Sequence, residues 1–353
     1  MIIDTLKLQA ALANIRPIVG RRQNLPILSC VKLHTERNQL HITGSNLDEF
    51  VVEQVEVDGE FKPVCVRFDY LSNALIGDTA DITFAKSKIS LRCGKNVSSL
   101  STLDAGEFPP LPKMVKSSKQ GLACAELSKF VKAVSWAASK DPSRYILNSV
   151  LIESRAKQLT VLGTNGREMA FVKEAVIGSD CECLIPSGFA SNAAAALARD
   201  GAILETSENQ IRVTHNEGEY YCKRVEGNFP NYKQVIPNKT KLLAKLNVEE
   251  MLSLLRGVAC YGNAQDAEIK GVFKFSNKGL VVEFKEPNSG TELIRELAGK
   301  YEDFTVALAT AKMLKIFQQI KTDEAALRFV DELSVLTIEA GNLTVLTMPI
   351  RLT

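Results

Sequence analysis

The chain has 353 residues, of which 43 are basic and 41 are acidic, so its net charge is +2. Its content of 45% hydrophobic and 24% charged residues is ordinary for a soluble globular protein. No apolar run approaches the roughly 18 residues that a membrane helix needs, and Met1-Ile2-Ile3-Asp4 does not open a signal peptide. The sequence therefore excludes a membrane or secreted class and predicts a cytoplasmic protein.

The first third of the chain begins with an amphipathic helix, predicted over residues 5–19. Pro17 should kink or end this helix, and its apolar stripe is formed by Leu8, Ala11, Leu12 and Ile15. A second helix is predicted at Phe68–Ile76. The predicted strands are Ile27–Leu33, Leu40–Thr43, Phe50–Val57, Ile82–Phe84 and Lys88–Leu91.

The other two thirds show the same order of elements. Helices are predicted over 126–139 and 187–199, and again over 248–261 and 310–321. Asn247 and Glu250 should be the N-cap and N3 residues of the third of these, with Leu246 and Met251 as a hydrophobic staple. The two leading helices have the apolar stripes Leu127, Phe130, Val131, Val134, Ala138 and Val248, Met251, Leu252, Leu255, Ala259.

Sequence repeats indicate that the chain is a tandem triplication. Gln39–Asn46 recurs as Gln158–Asn165, 119 residues further on, and Phe108-Pro109 recurs as Phe229-Pro230. A weaker third copy runs through Val272–Phe275 and Leu280–Glu283. A period this long is typical of duplicated domains rather than of a solenoid, and it predicts three domains at 1–118, 119–240 and 241–353.

The order helix, strands, helix, strands has links of hairpin length and no alternation of single strands with helices. This pattern predicts α+β domains, each with an antiparallel sheet and two helices packed on one face.

Basic residues are concentrated in the predicted helices, which hold ten basic and four acidic residues when the second helix is counted as 67–76. The acidic residues lie in first turns, where they suit the helix dipole. One interpretation is that these are ordinary solvated helix faces; the other is that all six helices share a surface facing a polyanion. The basic residues are Lys7, Arg16, Arg67, Lys129, Lys132, Arg199, Arg256, Lys312, Lys315 and Lys321.

Catalytic and nucleotide-binding motifs are missing from the sequence. It contains no Gly-x-x-x-x-Gly-Lys-Ser/Thr, Gly-x-Gly-x-x-Gly, His-Glu-x-x-His or Gly-x-Ser-x-Gly. Thr164-Asn165-Gly166-Arg167 is most simply an Asn-Gly turn after a strand. Since no set of nucleophile, base and orienting group can be assembled, the sequence predicts a protein that is not an enzyme.

The cysteines and histidines point to no metal or cofactor. Eight scattered cysteines are typical of a reducing cytosol. Only Cys181 and Cys183 lie close together, and a zinc or disulfide role for them is the less favoured alternative to free thiols. His34, His41 and His215 lie in strand-like segments without a carboxylate pattern, and we interpret them as structural.

Six segments, taken in order, resemble the bacterial DNA polymerase III beta subunit, the replicative sliding clamp family. They are Leu25-Pro26-Ile27-Leu28, Leu100–Leu103 leading to Phe108-Pro109, Arg144-Tyr145-x-Leu147-Asn148, Thr164-Asn165-Gly166, Gly227-x-Phe229-Pro230-x-Tyr232 and Met348-Pro349-Ile350-Arg351-Leu352. The resemblance covers the whole chain. It implies a non-catalytic processivity factor: a head-to-tail homodimeric ring of six domains, with twelve helices lining a channel around duplex DNA and sheets outside.

Within that resemblance, the basic helix residues would face DNA, with Arg21 and Arg22 at the channel mouth. The resemblance also implies a groove that binds short linear motifs of partners, namely the replicative polymerase, clamp-loader subunits, other polymerases and repair proteins. Motifs with a Gln followed by apolar anchors are expected. By position, the groove residues are Arg144, Ile146, Leu147, Thr164, Gly166, Arg167, Glu168, Met169, Pro230, Gln234, Val235, Leu346, Met348, Pro349, Ile350 and Arg351.

The chain departs from the family pattern at the groove. Arg167-Glu168-Met169 stands where His-Arg-Leu is common, and Ala309 and Lys312 stand where Asn and Tyr are frequent. The charge of Glu168 is expected to favour peptides with a basic residue nearby. These departures leave an alternative open: a partner-binding scaffold with the clamp fold, or a second or mobile-element copy that the main replicase does not use.

Overall fold

The structure, a computed structural model, describes residues 1–19, 25–85, 87–120, 122–176, 180–259, 270–285, 292–331 and 334–351. These residues contain six α-helices and 24 β-strands. Every recorded strand pairing among them is antiparallel. No helix in these ranges is long and apolar enough to cross a membrane. The predicted α+β class with antiparallel sheets is confirmed.

One order of elements occurs three times: a strand, a helix, four strands, a second helix and three strands. The first copy is β1 (Ile2–Asp4), α1 (Thr5–Val19), β2 (Cys30–Glu36), β3 (Gln39–Ser45), β4 (Glu49–Glu56), β5 (Val64–Arg67), α2 (Phe68–Ala74), β6 (Thr79–Ala85), β7 (Lys88–Cys93) and β8 (Asn96–Asp104). The second is β9 (Ser118–Gln120), α3 (Cys124–Ser135), β10 (Ser149–Arg155), β11 (Gln158–Thr164), β12 (Glu168–Ala175), β13 (Cys181–Pro186), α4 (Ala190–Leu197), β14 (Ile203–Thr206), β15 (Gln210–His215) and β16 (Gly218–Lys223). The third is β17 (Lys241–Asn247), α5 (Val248–Ala259), β18 (Lys270–Ser276), β19 (Gly279–Lys285), β20 (Glu292–Ala298), β21 (Phe304–Ala309), α6 (Thr310–Gln319), β22 (Glu324–Phe329), β23 (Leu336–Ala340) and β24 (Leu343–Thr347).

The chain divides into two compact units, and the first contains Met1–Lys129 and Gly188–Glu226. Its sheet has twelve strands in the order β1-β6-β7-β8-β5-β2-β3-β4-β16-β15-β14-β9. Helix α1 packs on β3 and β4, and the predicted stripe of Leu8, Ala11, Leu12 and Ile15 is buried against them.

The second unit contains Phe130–Val176, Asp180–Ser187 and the chain from Gly227 onward. An eight-stranded sheet runs in the order β13-β10-β11-β12-β24-β23-β22-β17, and a four-stranded sheet in the order β20-β19-β18-β21. Helices α5 and α6 pack against each other. The predicted cap of α5 is confirmed, because the Asn247 side chain accepts a hydrogen bond from the Glu250 N–H at 3.0 Å.

Equivalent strand pairs join neighbouring copies into shared sheets. Strand β4 pairs with β16 from Glu49 opposite Cys222 to Glu53 opposite Gly218. Strand β12 pairs with β24 in the same register, starting with Glu168 opposite Thr347. The elements of the central copy are therefore divided between the two units. The three domain boundaries at 1–118, 119–240 and 241–353 stay a prediction.

The predicted strand Ile27–Leu33 is wrong in its first half. Pro26–Ser29 forms a 3₁₀ helix, and the strand begins at Cys30. Proline at the first helical position fixes φ, and the N–H of Leu28 donates to the Leu25 carbonyl at 3.1 Å, which closes a tight turn instead of an extended strand.

Helix α1 spans the predicted window of 5–19, so Pro17 does not end it before Val19. A proline in the last turn removes one helical hydrogen bond, and the burial of Ile18 and Val19 holds that turn in place. Helix α5 begins at Val248 as predicted, and its predicted last residues lie outside the described residues. The ends of α2, α3, α4 and α6 differ from the predicted windows by up to four residues, a common disagreement at helix ends.

A glycine at the same position of two copies allows a helix to approach the sheet closely. A Cβ on Gly163 would lie 2.5 Å from the backbone carbonyl oxygen of Val134. A Cβ on Gly44, which lies 119 residues earlier, would meet the methyl groups of Ile15 and Val19 at 2.4 and 2.6 Å. Side-chain methyls can shift more readily than a helix backbone, so an added methyl group is tolerated less well at Gly163 in the second copy than at Gly44 in the first.

We expect Gly163→Ala to destabilise the protein by about 3 kcal/mol and Gly44→Ala by about 1 kcal/mol, the two ends of the usual cost of overpacking. Urea unfolding of both variants and the wild type measures this difference. Equal losses in the two variants would contradict the backbone contact at Gly163.

Candidate functional site

A groove of about 400 Å³ lies in the second unit. Its floor contains Met169 and Leu346, which are buried and directly opposite each other on β12 and β24. At its mouth, Val235 and Met348 are 59% and 53% exposed. Ten of the predicted groove residues line it: Leu147, Thr164, Gly166, Arg167, Glu168, Met169, Pro230, Val235, Leu346 and Met348. An apolar floor that is open to solvent suits the apolar side chains of a peptide.

The rim of the groove is the turn between β11 and β12. The side-chain oxygen of Asn165 accepts hydrogen bonds from the N–H groups of Arg167 and Glu168, each at 2.9 Å. Gly166 has a φ of +85°, a backbone conformation that glycine adopts without strain. The predicted Asn-Gly turn is confirmed, and it fixes the direction in which Arg167 leaves the sheet.

The carboxylate of Glu168 lies beneath this rim and is held from two sides. It accepts a hydrogen bond from the Asn165 amide at 3.0 Å. Its Oε1 lies 3.0 Å from the Nζ of Lys312, in an ion pair rather than a well-directed hydrogen bond. Glu168 and Lys312 are two of the positions where the sequence departs from the family pattern, and the structure shows that they are partners.

The first copy has a carboxylate at the equivalent position with different partners. Glu49 begins β4 as Glu168 begins β12, and it is fully buried. It accepts hydrogen bonds from Asn46 at 3.0 Å, from Asn192 at 2.8 Å and from the Tyr220 hydroxyl at 2.7 Å. Asn192 is the third residue of α4, as Lys312 is the third residue of α6. A buried carboxylate that ties a turn to a second helix is thus a repeated structural element.

Six predicted groove residues lie outside the lining. Arg144 donates to the carbonyl of Asn165 at 3.4 Å, behind the turn. The Ile350 N–H donates to the Ala307 carbonyl at 2.8 Å, so the tail is pinned to β21 at this point. The six residues are Arg144, Ile146, Gln234, Pro349, Ile350 and Arg351.

Four lining residues were missed by the sequence prediction: Phe229, Asn231, Tyr232 and Val335. Tyr232 is buried, and its hydroxyl donates to Glu153 at 2.7 Å. Burial and this carboxylate raise the pKa of Tyr232 above its ordinary value. Phe229 and Tyr232 belong to a segment that carried the family resemblance, so a signal existed for them. Val335 precedes β23 and reaches the groove through long-range pairing that gives no local signal.

The basic residues predicted to face DNA lie mainly on the helices. Seven are within helices, against four acidic residues, and Arg67, Arg199 and Lys321 lie just outside them. Lys129 pairs with Glu126 at 2.7 Å. Arg21 and Arg22 lie outside the described residues. The exposed ones are Lys7, Arg16, Arg67, Lys129, Lys132, Arg256, Lys315 and Lys321.

Arg199 is half-buried in a polar cluster of the first unit. Its guanidinium pairs with Glu53 at 3.5 Å and also with Glu217. Burial raises the pKa of Glu53, while burial and the charge of Arg199 together lower the pKa of His215 to about 4. The charge of Arg199 is therefore committed to this cluster.

Two family models match the chain. The N-terminal domain of the DNA polymerase III beta subunit matches residues 1–112, and the central domain of the same subunit matches residues 121–231. Together the two models span more than half of the chain. The chain belongs to the DNA polymerase III beta subunit family. Membership confirms the family resemblance and the prediction of a non-catalytic protein.

Known members of the family are similar to this chain along its whole length. The beta sliding clamp of Vibrio cholerae is 24% identical over 365 aligned residues, which cover 99% of each chain. That of Pseudomonas aeruginosa is 26% identical over 351 aligned residues, which cover 95% of each chain. A crystal structure of the Pseudomonas aeruginosa clamp has a TM-score of 0.90 at 23% identity, covering 100% of this chain and 99% of that one. The beta subunit of Thermotoga maritima has a TM-score of 0.88 at 21% identity, with the same coverage. The fold is the sliding clamp fold.

The His215 cluster should make stability depend on pH. In the unfolded chain His215 takes a proton near its ordinary pKa of 6.5, whereas in the folded chain it stays neutral down to about pH 4. Falling pH through this window therefore favours the unfolded state. We expect His215→Asn to lose less stability than the wild type between pH 7 and pH 5 in urea unfolding, because both share every other titrating group. Equal losses would contradict the lowered pKa.

Proposed function

We propose that the chain is a DNA sliding clamp: two copies close head to tail around duplex DNA and tether the replicative polymerase, without catalysing a reaction themselves. The whole-length similarity to beta sliding clamps in sequence and fold supports this proposal. Further proposed partners are clamp-loader subunits, other polymerases and repair proteins. The seven cysteines that the structure describes form no disulfide with one another, which supports a cytoplasmic setting.

The main observation in favour of a ring is that two strands, β20 and β8, keep an unpaired edge after the copies within the chain have been joined. The fourth strand of the first copy, β4, pairs with the last strand of the second, β16, and β12 pairs with β24 in the same way. By this rule β20 should pair with the last strand of a following copy. Among the described residues β20 pairs only with β19, and Asn96–Ser101 of β8 pairs only with β7. Exposed edges need partners, and a head-to-tail contact that closes after two chains supplies them.

The internal joins also set the register of the proposed contact. Asn96 is the first paired residue of β8 after its hairpin, as Gly218 is of β16. By the same count Arg295 on β20 corresponds to Glu53 on β4, and Glu53 lies opposite Gly218 in the first join. Arg295 should therefore lie opposite Asn96 of the second chain, and Ile294 opposite Val97. Val97 and Ile294 are 59% and 55% exposed in the single chain, and pairing would bury both.

We expect a Val97→Cys, Ile294→Cys double variant to form a disulfide between chains under mild oxidation, since directly opposed residues of antiparallel strands lie within disulfide range. After loading, the oxidised ring should stay on nicked circular DNA and slide off once the circle is linearised. Non-reducing gel electrophoresis and gel filtration of the DNA measure the two effects.

A matched control is Val115→Cys with Ile294→Cys, because Val115 is equally exposed but lies outside β8. It should not cross-link. A stable monomer at micromolar concentration by sedimentation, or equal cross-linking in both pairs, would refute the register.

Contact with DNA would be electrostatic. The exposed lysines and arginines on the helices suit phosphates, and phosphate contacts carry no sequence information. Affinity for open DNA should be weak and should fall steeply with salt, since counterion release dominates such binding. Retention would come from the closed ring and not from tight contacts.

The groove would hold a short peptide from a partner. Leu147, Met169, Leu346 and Met348 offer apolar contact for two or three side chains, and methionine adapts to different shapes. Because Lys312 neutralises Glu168, the expectation that Glu168 selects a basic residue loses its basis. Arg167 at the rim is exposed and lines the groove. We therefore propose a motif with Gln, apolar anchors and an acidic neighbour.

We expect Leu147→Ala with Met348→Ala to weaken binding of such a peptide by about 100-fold or more, because each lost anchor contact is worth about 1.5–3 kcal/mol. Deleting residues 348–352 should have a similar effect. Fluorescence polarisation with a labelled peptide measures the affinity, and replacing the acidic neighbour by Lys should lower it.

Leu242→Ala is a suitable control, because Leu242 is also exposed and lies outside the groove. It should bind as the wild type does, and all variants should remain dimers. If the tail deletion binds peptide at wild-type affinity, the groove assignment is wrong.

The scaffold alternative is distinguished by loading. A clamp loader of the host should place the ring on primed DNA, and the host polymerase should then extend processively. If neither occurs while peptide binding is intact, the chain is a scaffold with the clamp fold. The pairing of Glu168 with Lys312 accounts for two of the departures that suggested this alternative.

A further inference from the structure

A pair of histidines and a carboxylate lie together on one face of the β2–β3 hairpin. His34 is directly opposite His41 in the strand register. Their rings stack with centroids 4.6 Å apart and planes 20° apart. Glu36 follows His34 by two residues, which places it on the same face. One ligand atom from each of the three residues lies within 4.8 Å of the others.

The hydrogen bonding of this cluster is incomplete. The Nδ1 of His34 is buried and has no hydrogen-bond partner among the described residues. A buried polar atom without a partner is costly, and a neutral imidazole nitrogen is a preferred ligand of zinc and related ions. Glu36 is exposed, and its ion pair with Arg37 is weak, with 3.9 Å between the charged atoms. Its carboxylate can therefore turn toward the two rings.

We propose that His34, His41 and Glu36 bind a divalent transition-metal ion of the zinc class. Zinc bonds of about 2.0–2.2 Å to nitrogen and oxygen put tetrahedral ligands about 3.3 Å apart. The cluster needs to contract by about 1.5 Å from its present spread. The two stacked rings must also turn so that one nitrogen of each points at the ion, and the exposed Glu36 side chain can follow. Three protein ligands leave a position for water. The bound ion would clip the two strands of the hairpin together.

The other two copies do not repeat this cluster. In the second copy Glu153 and Thr160 stand at the positions of His34 and His41. There Glu153 accepts a hydrogen bond from the Tyr232 hydroxyl. The hairpin of the third copy has Lys274 opposite Val281. The equivalent hairpins of the other two copies therefore form without these three residues, so the proposed site is specific to the first copy and is not required for the fold. Lys32 lies on the same face, and its positive charge repels a metal ion. We therefore expect a micromolar rather than a tighter affinity for Zn²⁺.

The test is metal binding by the untagged chain with its thiols alkylated. Titration calorimetry with Zn²⁺ should give one site per chain, and Co²⁺ should give visible absorption bands of a four-coordinate site. His34→Gln or His41→Gln should lower the affinity at least about 100-fold, more than removal of an outer hydrogen-bond partner does. Glu36→Gln should lower it less. Saturating Zn²⁺ should raise the melting temperature of the wild type.

His215→Gln is the matched control, because His215 is the third histidine and lies in a different cluster. It should bind Zn²⁺ as the wild type does. The proposal is overturned if the wild type shows no single site, or if both hairpin variants bind with wild-type affinity while circular dichroism shows them folded. Neither result bears on the clamp function, since the ring and the groove do not involve the hairpin.

Discussion

The architecture depends on the backbone pairing between the fourth strand of one copy and the last strand of the next. Main-chain hydrogen bonds of this kind leave no freedom in register, because a slip by one residue would turn every side chain to the other face. The pairing of β4 with β16 and that of β12 with β24 obey the same register. If the proposed contact between two chains follows the same register, β20 of one chain matches the unpaired part of β8 in the other. The proposed ring would then leave neither of these two strand edges open to aggregation.

The groove is a by-product of one of these joins. Its floor residues Met169 and Leu346 are paired across β12 and β24, so the groove exists only where two copies share a sheet. Its rim is the turn that precedes the join, and Glu168 at the first position ties this turn to Lys312 on α6. A peptide in the groove would thus contact the same elements that hold neighbouring copies together. Val235 and Met348 at the mouth are open to solvent, whereas Met169 and Leu346 on the floor are fixed by the strand pairing.

Periodic and local signals in the sequence predicted much of the fold. Features that depend on long-range strand pairing could not be predicted from these signals. The stripe of Leu8 to Ile15, the cap of Asn247 and the turn at Gly166 follow from spacing alone, because each involves neighbours along the chain. The strand predicted from Ile27 failed because Pro26 starts a 3₁₀ turn. Ten of the sixteen predicted groove residues line the groove. Pro349, Ile350 and Arg351 do not, because the hydrogen bond from Ile350 to Ala307 could not be read from the sequence.

The three copies differ mainly in the side chains that contact each other across the joining strands and across the hairpins. The carboxylate that begins the joining strand is kept, but its helix partner is Asn192 in one unit and Lys312 in the other. Neutral donors suit the fully buried Glu49, since a charge there must be satisfied by hydrogen bonds. A lysine suits Glu168, which is also buried but lines an open groove, because the Lys312 side chain is one-third exposed and its ammonium can stay hydrated. Each copy thus keeps the backbone join unchanged and adapts only the side chains to the solvent exposure of its own position.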